Sequence, residues 1–301
     1  MFKYNVEQKS YKIGKYIVGG DPRSVPTALA GTIFYLKQKK IFRDERKGQI
    51  NKEYAEKLIK EQEELADKTG LIPLLDVILS FKESIQPILD FVFSVTDTPV
   101  LVDAPYWEVK QPMLNYLIEH GLDKEVVYNT ITSSSYDEEF ELLSQTDIET
   151  FFLLPIESQC WTTEARMEIT DKLIKKALSY NFKKNNFLID TCIIDFTSLG
   201  IALNTIDEVK NKYGYPAGTA GQNLADSWIN LVTKFGHIKK YIKVVASTIT
   251  LAAGADFIFY GPIQLANLVY PNVAFIKAAH SQLLFDEGKM PPPTHPVFKI
   301  N

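Results

Sequence analysis

Three aspartates and one asparagine stand where apolar runs of this sequence stop, and these are the residues that could do chemistry. Val100-Leu-Val-Asp103 ends on a carboxylate, Val126-Val-Tyr-Asn129 on a carboxamide, and Asn186-Phe-Leu-Ile-Asp190 on a second carboxylate. Asp76 falls near the end of a similar run that begins at Leu71. In a parallel βα barrel every strand opens at its C-terminal end onto one shared face, where active sites sit. Asp103 and Asn129, 26 residues apart, then look into one cavity, and Asp190 joins them. Burying a carboxylate there is costly unless it is paired. For any one aspartate alone, capping the next helix is an equally good account. All four together, at one end, point to a ligand site.

The elements that must position these residues alternate along the chain. Buried strands are expected at 28–35, 71–78, 99–105, 125–131, 149–155, 186–194, 215–223 and 255–261, with helices between them. Asn51 is placed to cap a helix running to about Thr69, in which Tyr54, Leu58 and Leu65 keep helical spacing. Pro87 fits the first turn of a helix over 84–96, and Thr163 marks the start of another. Gly218 and Gly221 in the seventh strand suggest backbone lying close to a ligand. The whole predicts a single (β/α)8 TIM-barrel domain over residues 1–301, with 1–27 as a short N-terminal β extension. Its hairpin around Gly14 would cover the barrel bottom or pair with a partner subunit. An open doubly wound sheet is disfavoured because no G-x-G-x-x-G turn follows the first strand.

Composition excludes several classes. With 301 residues, 46% hydrophobic and 23% charged, the chain suits a large globular barrel. A net charge of −4 with dispersed lysines gives no nucleic-acid footprint. Cys160 and Cys192 lie in apolar surroundings and read as reduced core thiols. His120, His237, His280 and His295 have no partner at metal-ligand spacing, so no metal is expected. The start, Met1-Phe-Lys-Tyr-Asn, has no secretory apolar run, and no stretch approaches a membrane span. A cytoplasmic chain is expected.

Nearly end to end, the sequence resembles the MtrH component of tetrahydromethanopterin S-methyltransferase and related pterin-dependent corrinoid methyltransferases. The resemblance is carried by Val18-Gly-Gly20, Gly31-Thr-Ile-Phe-Tyr35, Glu61-Gln-Glu-Glu-Leu65, Leu101-Val-Asp103 and Tyr128-Asn129, then by Tyr215-Pro216 with Asn223, Ala255-Asp-Phe-Ile-Phe-Tyr-Gly-Pro262 and Thr294-His-Pro296. More distantly, Asp103, Asn129 and Asp190 match the Asp…Asn…Asp pterin-binding pattern of methyltetrahydrofolate methyltransferases. One departure is Ala104-Pro105, where the family usually has a small hydroxyl residue after the strand-three aspartate.

The resemblance implies a methyltransferase moving a methyl group between N5 of a tetrahydropterin, tetrahydrofolate or tetrahydromethanopterin, and a corrinoid on a partner protein. It implies a homodimer, and a pterin site of Asp76, Asp103, Asn129, Asp190 and Asn223 in which Asn129 meets N5. The alternative is a non-catalytic paralogue that binds the pterin or the corrinoid protein, with Tyr106-Trp107 as a stacking surface. A remoter alternative, a barrel lyase, would need a lysine or metal at the mouth, and none is evident in the sequence.

Overall fold

In a computed structural model, which describes every residue except Gln159, eight strands close into a parallel barrel. They are β1 (Ala28–Ile33), β2 (Ile72–Ile78), β3 (Val100–Asp103), β4 (Val126–Thr132), β5 (Thr150–Leu154), β6 (Asn186–Asp190), β7 (Ala217–Thr219) and β8 (Phe257–Pro262). Each pairs with its neighbours in sequence, and β8 pairs with β1 to close the ring. The helices outside the ring include α1 (Lys52–Thr69), α2 (Ile85–Val95), α3 (Trp107–Glu119), α4 (Asp137–Leu143), α5 (Thr163–Leu178), α6 (Leu199–Tyr213), α7 (Lys239–Thr248) and α8 (Ala266–Asp286). The expected (β/α)8 class is the observed one.

Period-two alternation builds the interior. Ala28 and Ala30 of β1, Ile72 and Leu74 of β2, Leu101 of β3, Val127 of β4, Phe152 of β5, Leu188 of β6 and Phe257 and Phe259 of β8 form one buried inner cluster. One step of two residues further along, the inner positions turn polar: Thr32, Asp76, Asp103, Asn129 and Asp190. The alternate positions face outward into a second core shared with the helices.

At the other end, strands Ser10–Ile13 and Tyr16–Gly19 form an antiparallel hairpin whose Ile13 and Val18 join the inner cluster. The hairpin spends its apolar face on the barrel floor, which favours the covering role over pairing with another copy of the chain.

Local signals resolve as physical chemistry requires, with four corrections. The Asn51 cap is as expected, its Oδ1 accepting from Tyr54 N at 3.2 Å. The cap of α5 is Thr162, one residue before the expected Thr163; its hydroxyl accepts from Ala165 N at 3.1 Å. β7 is only Ala217–Thr219, within the expected 215–223, because the chain turns at Ala220, whose carbonyl accepts from Asn223 N at 3.1 Å. β6 stops at Asp190 rather than 194, because the Asp190 carboxylate accepts from Cys192 N at 2.9 Å and Cys192 turns the backbone to φ +64°. The glycines of the seventh strand serve packing, not a ligand. A Cβ at Gly218 would lie 2.1 Å from the Phe257 carbonyl oxygen, and one at Gly221 2.4 Å from that of Ala246.

Candidate functional site

All five expected site residues, Asp76, Asp103, Asn129, Asp190 and Asn223, line one cavity of about 470 Å³ at the C-terminal ends of the strands. Parallel register brings them there: Asp103 lies beside Asn129 across β3 and β4, and Thr32 beside Asp76 across β1 and β2.

Their environments differ. Asp76 is 4% exposed and both its oxygens are engaged: Oδ2 accepts from the Thr32 hydroxyl at 2.7 Å and Oδ1 from Asn129 Nδ2 at 3.0 Å. An ionised carboxylate only accepts, so the Asn129 nitrogen must face Asp76 and its oxygen is left for the cavity. Asp76 is therefore less an open contact for a ligand than the group that sets the Asn129 amide. Asp103 is placed differently. Among the described residues its carboxylate shows no hydrogen-bond partner, and burial, then the Asp76 charge, push it well above the usual carboxylate range while Lys110 pulls the other way. Burial raises Asp76 to about 6 and Asp190 to about 6. Asn223 meets its neighbour Gln222 side chain to side chain at 3.1 Å.

Two buried devices hold the strand ends. Lys110 of α3 donates to the Thr130 carbonyl at 2.8 Å, next to Asn129, and pairs with Glu139 of α4 at 2.7 Å. Glu139 also accepts from the Tyr128 hydroxyl at 2.8 Å and from Ser135 at 3.0 Å. Arg166 of α5, fully buried, donates to the carbonyls of Thr191 and Cys192 at 2.6 Å each, fixing the loop that follows Asp190.

The pattern of strand ends does not reveal Thr32, Asp226 and Lys243, which also line this cavity. Thr32 was within reach, being two residues past the inner Ala30. Lys243 corrects the expectation that the mouth holds no lysine; it pairs with Asp226 at 2.6 Å. Tyr106 and Trp107 are not among the lining residues, and Trp107 instead packs near Tyr136, ring centroids 6.4 Å apart. Among the described residues no group of three or more His, Cys, Asp or Glu is arranged to hold a metal ion.

The barrel belongs to a known structural class. It superposes on a dihydropteroate synthetase bound to a product, with a TM-score of 0.63 at 13% identity over 92% of this chain and 100% of the other. It also superposes on the Yersinia pestis enzyme bound to a pterine–sulfa conjugate, at 0.61 and 13% over 92% and 100%. At such identity these likenesses define the fold alone.

Similarity in sequence goes further. The profile of the tetrahydromethanopterin S-methyltransferase MtrH family matches residues 6–289. The chain is 32% identical to the MtrH protein of the Methanothermobacter thermautotrophicus tetrahydromethanopterin S-methyltransferase, over the full length of both. It is 35% identical to the corresponding protein of Methanopyrus kandleri over 97% of each. It is 34% identical to the H component of the mtx methyltransferase, a putative enzyme of Methanosarcina acetivorans, over 99% of each. The chain belongs to the MtrH family, a family of methyltransferases.

Proposed function

We propose that this chain moves a methyl group between N5 of a tetrahydropterin, tetrahydromethanopterin or tetrahydrofolate, and the cobalt of a corrinoid carried by a separate protein. Family membership supports the methyltransferase class and the pterin. The observation that carries the reading to residues is the Thr32–Asp76–Asn129 chain of hydrogen bonds, which leaves the Asn129 oxygen facing the cavity.

A pterin presents N–H and amino donors along one edge. Asp103, with no hydrogen-bond partner among the described residues, and Asp190, which spends one oxygen on Cys192 N, suit that edge, and Asn223 extends the polar wall. The methylated N5 is a poor leaving nitrogen, so transfer requires a proton at N5 as the N–C bond breaks. The bonding pair stays with N5 and the methyl group leaves without it. The Asn129 oxygen accepts from the N5–H that develops; being uncharged, it does not compete for the proton. A reduced corrinoid supplies the electron pair that takes the methyl group, and the chain's own residues bind, orient and manage one proton.

No helix among the described residues is long and apolar enough to cross a membrane. We place the chain in the cytoplasm, at the periphery of a membrane methyltransferase complex where it joins one, and without a resident metal. The homodimer follows from the family resemblance. With the hairpin turned inward, exposed Tyr241 and Val245 on α7 and Phe275 on α8 offer apolar surface for it. Titration with methylated tetrahydropterins, followed by mixing with cob(I)alamin, tests the whole reading. Binding with transfer supports it; binding with the methyl group left in place supports the non-catalytic alternative.

A further inference from the structure

Among the described residues that line the cavity, Lys243 is the one cation. It belongs to the first turns of α7, which begins at the same end of the barrel as the strand tips, and its side chain is 12% exposed. Asp226, in the segment after β7, takes Lys243 on one oxygen and Lys239 on the other, at 2.6 Å each. Two ammonium groups share one carboxylate, so this cluster keeps an unbalanced positive charge. The floor is opposite in sign, with Asp76, Asp103 and Asp190. Half-buried Tyr35 also lines the cavity, its phenol near enough for Asp226 to raise its pKa, after burial and Tyr54.

A molecule filling this space must be rich in donors at one end and anionic at the other, with a ring or linker between. The geometry points to Lys243, held in place by Asp226, as the anchor for the anionic tail of the pterin cosubstrate. This rests on the pterin reading above and adds to it the part of the molecule beyond the ring. A tail of carboxylates or phosphate would be repelled by the three floor carboxylates and must leave through the mouth, where Lys243 meets it. A lysine ammonium is a compact point charge without a fixed fork, so it serves a glutamate carboxylate and a phosphate alike.

The test compares four ligands by calorimetry on the full chain. They are 5-methyltetrahydrofolate with one glutamate, its triglutamate, methyl-tetrahydromethanopterin with its phosphate, and a tail-less 5,6-dimethyltetrahydropterin. Lys243→Met is expected to weaken the tailed ligands by about tenfold or more and to leave the tail-less one within about twofold. The tail that loses most identifies the anion. Lys243→Arg, which keeps the charge, is expected to restore most of the loss, and guards against a variant that merely misfolds. Equal weakening of tailed and tail-less ligands, no weakening of either, or equal wild-type affinity for all four overturns the anchor. If wild-type protein binds none of the four, it is the pterin reading that fails.

Discussion

Asp76 accepts from Asn129 Nδ2 at 3.0 Å while Thr32 occupies its other oxygen at 2.7 Å. Neither Asp76 nor Thr32 needs to touch N5 for this to matter, because the pair decides which end of the Asn129 amide faces the cavity. Asp76→Ala removes the acceptor and frees the amide to turn. The methyl-transfer rate should fall by about tenfold to a hundredfold, a hydrogen bond to a charged group being worth about 1.5–3 kcal/mol. Pterin affinity should fall less. Stopped-flow transfer set beside an equilibrium titration gives both numbers, and a pure loss of affinity would return Asp76 to the role of a direct contact.

Asp103 should trade stability for binding. Its carboxylate has no hydrogen-bond partner among the described residues, and burial and the Asp76 charge both raise it. Asp103→Asn keeps the shape and removes the charge, so unliganded protein at pH 8 should gain about 1 kcal/mol, roughly 2 °C in melting temperature. Pterin affinity should drop roughly tenfold or more. A variant that melts lower and binds normally would mark Asp103 as structural.

The raised carboxylates carry a pH signature. Asp76 and Asp190 titrate at about 6 in the folded chain, against roughly 4 for an ordinary carboxylate. The folded state then holds more protons than the unfolded one between these values. Their contribution to stability is complete below about pH 4 and is lost as pH rises through about 6. A pterin donating N–H bonds to ionised Asp190 lowers that value. Binding of an unmethylated tetrahydropterin at pH 6 should therefore release protons, and affinity should rise from pH 5 to 7. Calorimetry in two buffers of different ionisation enthalpy reads the proton count; uptake in place of release would contradict the assignment.

Lys110 and Glu139 form a buried pair at 2.7 Å behind the tip of β4. Lys110→Met leaves the Glu139 charge with only the Tyr128 and Ser135 hydroxyls and should cost about 3–5 kcal/mol. The double variant with Glu139→Leu should recover most of that. Urea melts of the two variants decide it, and a cost under about 1 kcal/mol for Lys110→Met alone would mean that water replaces the lysine.

Much of the barrel was legible because its signal is local. Apolar runs bounded by polar residues located the strands, β7 least closely because it holds only Ala217–Thr219, and the step of two from Leu101 to Asp103, Val127 to Asn129 and Leu188 to Asp190 carried the floor of the cavity. What was missed depends on contacts distant in sequence. Lys243 and Asp226 come from short helical pieces after β7, where no long periodic face shows which side chains turn inward. Lys110 with Glu139, and Lys210 with Asp256 at 2.5 Å, carry no signal of pairing in the sequence, because a buried charge declares itself only through its partner. Gly218 and Gly221 were misread because a close approach between backbones and one to a ligand leave the same mark in a sequence.

The central claim is that Asn129 acts on the proton at N5, and Asn129→Ala tests it most directly. Single-turnover transfer from methyl-tetrahydropterin to cob(I)alamin, followed by the disappearance of cob(I)alamin absorbance, is to be measured with pterin affinity under the same conditions. Since the Asn129 contact strengthens only as the proton arrives, the account predicts a rate loss of about a hundredfold or more beside an affinity loss of about tenfold or less. An Asn129→Ala variant that loses only affinity, or transfers at the wild-type rate, would contradict it.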